Sequence, residues 1–349
     1  MITRKELLFL AAVLVLGIFL RSLFLTNDYL VDEAVRVNWA NDSDFMEKLV
    51  QQTPTYSPLI YIILGTIHAN VQNLQWERLI PLVLGCLAIV LGYFLGKHVG
   101  LEREMALLMA VLPHQVVYSI QLSAYIYLIV LGILYTHFLF FSPRTMRFRF
   151  LALGVIAGLG YLFHYGFLAL TGATLLFLLY SKRLKEIIFY LAGMAPLFLI
   201  NLSTFIAQRQ YPHFNDILAF NLKSTLVTLA DFPHFTYSPI LIALTLLGIF
   251  FFITKRSHLP ANVREMVLHY GLFLGIVLAG AFLSIIGFIP RYLIVAQPAL
   301  MLGLFFLFKK NLSTKHYRIL LCIYLLVLAL TTLYIAYQFP VLDRIPLYY

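Results

Sequence analysis

MALLMAVLPHQVVYSIQLSAYIYLIVLGILYTHFLFFSP, residues 105–143, runs for 39 residues without an Asp, Glu, Lys or Arg. A helix crosses the roughly 30 Å hydrocarbon core of a bilayer with about 20 apolar residues, so this run is long enough for two crossings. Arg103 precedes it and Arg144, Arg147 and Arg149 follow it. Loops rich in Lys and Arg stay on the cytoplasmic side. Both flanks therefore belong inside, and the run must turn back on the outer side, near Ser119–Ala124. The next run, 150–181, has the same parity between Arg149 and the cluster Lys182, Arg183 and Lys185. It predicts two short helices that turn outside near His164–Tyr165.

Working outward, charge-free runs at 7–20, 79–96, 187–208, 232–254, 266–290, 292–308 and 319–342 complete the pattern. The expected fold is all-α: a polytopic membrane protein with about 11 transmembrane helices in a single transmembrane domain over 1–349. Its N-terminus is cytoplasmic and its working face lies outside. On that topology seventeen of the 25 Lys and Arg residues fall at inner helix ends, and ten of the 15 acidic residues lie outside. Composition points the same way, because 62% of the chain is hydrophobic and only 11% is charged. A soluble domain carries roughly 25% charged residues. The basic excess sits in short clusters between apolar runs, which argues against nucleic acid as a partner. Arg4 and Lys5 followed by the apolar run 7–20, with no small-residue cleavage site, read as an uncleaved anchor in the plasma (inner) membrane. Cys86 and Cys322 lie inside apolar runs and read as small core residues.

Two external segments are too long for simple turns. The first external loop, 26–78, carries seven acidic residues. Asp44 with Glu47 reads as a capping box opening a short helix that ends before Pro54. Ser57–Pro58 reads as the cap and first turn of a second helix, 58–70. At about 13 residues it is too short to span, so it is expected to lie along the interface. The second segment, 209–231, is polar and aromatic. The few residues after the last run predict no soluble C-terminal domain.

The chemistry-bearing residues are far apart in sequence but share one outer level. Asp32 and Glu33 are adjacent carboxylates just beyond the first span. A partly desolvated carboxylate suits a general base for a hydroxyl, whereas a solvated loop pair is the plainer reading. Arg78 opens the second span after Trp76 and Glu77, placed either to grip phosphate or to snorkel and pair with Glu77. Arg21 lies inside the first span, where charge is costly and functional by default. His164 and Tyr165 sit at the second turn, and Arg291–Tyr292 opens a late span. A Gly-rich phosphate loop, a Ser-His-Asp order and a Cys/His metal pattern are all absent from the sequence.

The ordered motifs LVDEAV (Asp32–Glu33), TYSPLIYIIL (Tyr56), ERLIPLVLGCLAIVLGYFLGKHVG (Arg78), the 105–128 stretch, GVIAGLGYLFHYGFLAL and IPRYLIVAQPAL resemble one family. It is the GT-C class of membrane glycosyltransferases, most of all the protein O-mannosyltransferase-like and aminoarabinose-transferase-like group. The similarity covers about residues 7–310. It implies an inverting glycosyltransferase of the cell envelope, moving a sugar from a polyprenyl-phosphate donor to a glycan, lipid or protein acceptor on the outer face. It further implies Asp32 as base or as the group that orients the acceptor, with Glu33 in support, and Arg78 and Arg291 toward the donor phosphate; Arg21, by its place in the first span, is a further candidate for that phosphate. Tyr56, Gln121, Tyr125, His164, Tyr165 and Tyr292 would line the substrate cavity. Gln121 and Ala124 stand where the family commonly has Glu and Arg. No cofactor is expected; a divalent metal is the alternative, although two carboxylates alone make a weak site. A flippase for lipid-linked saccharide and a non-catalytic GT-C-like subunit are the competing readings. Transporters usually show repeats and interrupted midplane helices, and here the polar residues cluster at one face.

Overall fold

The computed structural model describes residues 3–25, 33, 47, 58–71, 73–143, 145, 146, 148–209, 247–254, 259–282 and 294–342. Among them 86% are helical and none lies in a β-strand. In chain order the helices are α1 (Arg4–Ser22), α2 (Pro58–Val71), α3 (Leu74–Glu77), α4 (Leu79–Lys97), α5 (Glu102–Val111), α6 (Pro113–Tyr118) and α7 (Tyr125–Thr136). There follow α8 (Arg149–Phe163), α9 (Phe167–Tyr180), α10 (Leu184–Ile200), α11 (Leu202–Arg209), α12 (Ala261–Phe282), α13 (Gln297–Asn311) and α14 (Thr314–Leu342). Residues 247–254 are also helical.

Two stretches among the described residues are long and apolar enough to cross a membrane, Leu74–Lys97 and Thr314–Ala336. A third is available if α10 and α11, bent by 63° at Asn201, form one broken span. The described residues do not establish the count of eleven that the sequence predicts. The two helices expected within 150–181 are short, α8 with 15 residues and α9 with 14, against the ~20 a straight crossing needs. The predicted turns do occur, since 119–124 separates α6 from α7 and 164–166 separates α8 from α9. The expected interfacial helix 58–70 is α2, which buries Ile60, Tyr61 and Leu64. The expected helix opened by Asp44 lies outside the described residues except at Glu47, which is helical.

The long apolar run breaks at Leu112, whose ψ of 124° is not helical. Pro113 has no N–H to offer Met109, and it resets the chain into α6. The break strands three carbonyls, and side chains from other helices take them up. Arg21 of α1 donates through Nη2 to Met109 at 3.2 Å and through Nη1 to Ala110 at 3.3 Å. Thr332 of α14 donates to Val111 at 2.9 Å. Thr332→Val should therefore cost about 1 kcal/mol, the usual net worth of one such bond. A reversible unfolding titration in mixed micelles checks it, and an unchanged midpoint would mean Val111 has another donor.

Arg149 performs the same service further along. The last turn of the α7 arm opens into a π-helix, His137–Phe141. The Arg149 guanidinium, 6% exposed, donates to the carbonyls of Phe138, Leu139 and Ser142. The sequence pattern places this arginine in the inner basic flank, and its head is turned into the protein.

Small residues set the closest helix packing. A Cβ on Gly154 of α8 would lie 2.0 Å from the Tyr190 carbonyl of α10. One on Gly193 of α10 would lie 2.2 Å from the Leu151 carbonyl. The two backbones therefore touch, as helices in lipid do when small residues face each other. Nearby, the Tyr135 hydroxyl bonds Thr174 and Tyr190, Thr174 bonds His269 Nε2 at 2.8 Å, and Thr136 bonds Tyr270. This buried network ties α7, α9, α10 and α12 together. In contrast, α14 leaves Ile319, Ile323, Leu326, Leu330 and Leu333 exposed along its length, as a face turned to lipid would.

Candidate functional site

Arg78 occupies the joint between α3 and α4. Asn73 caps α3 by accepting from the N–H groups of Gln75 and Trp76, and Arg78 ends that short helix as it opens the next. Its Nη2 donates to Glu33 Oε2 at 2.7 Å, and both side chains are fully buried. Its Nη1 donates to the carbonyls of Phe24 at 3.2 Å and Leu25 at 3.4 Å, just past the end of α1. The other Glu33 oxygen, Oε1, accepts the Leu122 N–H at 2.7 Å. One ion pair thus joins the end of α1, the 33 region, the α3–α4 joint and the 119–124 turn. Burying both charges is costly in desolvation, and the attraction between them offsets that only with good geometry and further hydrogen bonds. Here the short contact and the three main-chain bonds supply both.

The neighbouring acid does not share this arginine. The Glu77 carboxylate accepts from His68 Nδ1 of α2 at 2.8 Å, which docks α2 on the joint. The plainer sequence reading, in which Arg78 pairs with Glu77, is not what the fold adopts.

Tyr125 starts α7 directly after the turn that holds Glu33. Its ring lies 4.6 Å from that of Tyr118 and 6.2 Å from that of His164. His164 in turn accepts the Gly166 N–H on Nδ1 at 2.9 Å. The two turns predicted from the long runs are therefore adjacent in space. Tyr165 faces the other way, accepting from Asn201 Nδ2 at 3.1 Å and meeting Phe205 across the bend between α10 and α11.

The predicted set divides as follows. Glu33, Arg78, Gln121, Tyr125 and His164 gather at the end of the bundle formed by the two turns. Tyr165 lies beside them but is engaged elsewhere. Arg21 is committed to the α5–α6 break, and a Cβ on Gly85 would sit 2.8 Å from its Nε. Asp32, Tyr56, Arg291 and Tyr292 lie outside the described residues. Among the described residues no three His, Cys, Asp or Glu side chains are placed to hold a metal ion. Sequence reasoning missed Gln115 and Gln297, which meet through Gln115 Nε2 and Gln297 Oε1 at 3.1 Å with both side chains fully buried. The signal was present, since each is a polar residue next to a proline-marked helix start inside an apolar run. It also missed His269 and His68. No family model, curated protein or solved structure matches the chain.

Proposed function

We propose that this chain is an integral membrane glycosyltransferase that moves a sugar from a polyprenyl-phosphate donor to a hydroxyl acceptor on the outer membrane face, with inversion. The observation that supports it best is the buried Glu33–Arg78 pair clamped to the 119–124 turn. It gathers four segments that are remote in sequence around the residue next to Asp32. The resemblance to the GT-C class supplies the reaction.

In this reading the Asp32 carboxylate takes the proton of the acceptor hydroxyl as its oxygen attacks the anomeric carbon. The bond from that carbon to the donor phosphate breaks, and its electron pair leaves with polyprenyl phosphate. Glu33 has both oxygens engaged, so it acts as a positioning group. It anchors the chain one peptide bond from the proposed base, and fixed orientation of a catalytic group lowers barriers substantially. Arg78 is neutralised by Glu33, and Arg21 is spent on main-chain carbonyls. The donor phosphate therefore falls chiefly to Arg291, whose charge opposes the negative charge that grows on the leaving group.

Purified protein in lipid nanodiscs, offered a panel of polyprenyl-phosphate sugars, should consume one of them. Asp32→Asn is expected to slow that turnover by roughly 10²–10⁴-fold, the usual worth of a general base, with donor binding intact. Arg291→Ala should weaken donor binding itself. Tight donor binding with no turnover by the unaltered protein, even with cell extract supplying acceptors, would replace this reading with the flippase or the non-catalytic subunit.

A further inference from the structure

The 119–124 turn and the helix before it hold more hydrogen-bonding capacity than the fold consumes. Ser119 spends its hydroxyl on the carbonyls of Gln115 and Val116. Three neighbouring groups do not find such partners. Gln115 Oε1, Gln121 Oε1 and Ser123 Oγ are buried and make no hydrogen bond among the described residues. The side chains are 0%, 7% and 1% exposed respectively. An unpaired buried polar atom costs about 1–3 kcal/mol, so three of them on one nine-residue stretch are a standing penalty unless a bound molecule supplies donors. They flank Leu122, whose N–H pins Glu33, and they therefore border the candidate site.

The chemistry of the missing partner follows from theirs. Two are amide oxygens, which only accept, and the third is a hydroxyl, which does both. A carboxylate or phosphate offers no donors and would be repelled. An ammonium would want a counter-charge, and the carboxylate held to this turn, Glu33, already faces Arg78. A sugar hydroxyl donates and accepts at once, and several hydroxyls on one rigid ring match several such groups.

We infer that Gln115, Gln121 and Ser123, with Gln297 bracing Gln115, form a binding subsite for a neutral, hydroxyl-rich sugar ring. This rests on the transferase reading only for the source of that sugar: a carrier-linked sugar is the donor and a free glycoside is the acceptor.

The full chain in nanodiscs should be titrated with butyl glycosides of neutral hexoses, and separately with short-chain polyprenyl phosphate, bare and hexose-linked. The variants are Ser123→Ala and the paired substitution Gln115→Met/Gln297→Met. Removing both amides together leaves no half of the pair behind, a change that is close to neutral for folding. Each variant is expected to bind the sugar-bearing probe about ten-fold more weakly, while bare polyprenyl phosphate shifts by less than about two-fold. Loss of the sugar-dependent gain on the carrier identifies a donor subsite; loss on free glycosides alone identifies an acceptor subsite. Sugar probes held equally by the unaltered protein and by folded variants overturn the proposal, yet leave the transferase reading standing if the phosphate still binds. Glycosides bound through these residues by a protein that ignores both carriers would uphold the subsite and sink the transferase. No binding of either probe overturns both.

Discussion

Arg78→Ala removes about 3–5 kcal/mol of stability, the usual cost of stranding one member of a buried ion pair. Glu33 would be left as a fully buried carboxylate that still accepts from the Leu122 N–H but has lost the guanidinium opposite it, and the carbonyls of Phe24 and Leu25 would lose a donor. Few domains have more than 5–15 kcal/mol to lose, so a large share of the protein should be unfolded or misassembled. Glu33→Gln is expected to cost less, because a neutral amide can still accept from Arg78 and Leu122. The combined change Glu33→Leu/Arg78→Met should recover most of the loss, since apolar replacement of a whole buried pair is often neutral. Reversible unfolding of the unaltered protein, Glu33→Leu, Arg78→Met and their combination in mixed micelles gives the coupling energy directly. Simple additivity, or a single-variant loss under about 1 kcal/mol, would mean water reaches the pair and that it is worth no more than a surface bridge.

Gly154→Val is the second large effect, at about 3 kcal/mol or more. Overpacking usually costs 1–3 kcal/mol because side chains can shift. Here the obstacle is the Tyr190 carbonyl, which belongs to the α10 backbone and cannot turn aside by a rotamer change. The helices would have to part, and that would also loosen the Tyr190–Tyr135 hydroxyl bond beside the contact. Gly193→Val should behave alike from the opposite side. Gly271→Ala is the internal control, because nothing lies within 4 Å of its added Cβ; removing a helix glycine there should be mildly stabilising. Similar midpoints for all three would show that α8 and α10 do not touch in the lipid-embedded protein.

Much of the helical plan was legible because it depends on local rules. Hydropathy marks apolar helices whatever they pack against, and Pro113 must break one wherever it stands. The turns at 119–124 and 164–166 followed from run length and the placement of basic residues alone. The exact course of each helix was less legible. Where a helix ends and how far it bends is not set by hydropathy, as the 63° bend between α10 and α11 illustrates.

The site shows the same division more sharply. Residue types at one level of the chain pointed to Glu33, Arg78, Tyr125 and His164, and these do converge. The partner of each could not be read. Arg78 had Glu77 as its covalent neighbour, yet the fold gives Arg78 to Glu33 and Glu77 to His68. Arg21 looked like a free cation in a membrane span, and it is instead the donor that satisfies a break 88 residues away. The sequence by itself determined that this protein is a set of apolar helices with fixed breaks, because composition, proline and turn chemistry act over a few residues. Only the tertiary structure decided which buried charge meets which acceptor, because in a low-dielectric interior each polar group takes whichever partner packing brings within 3 Å.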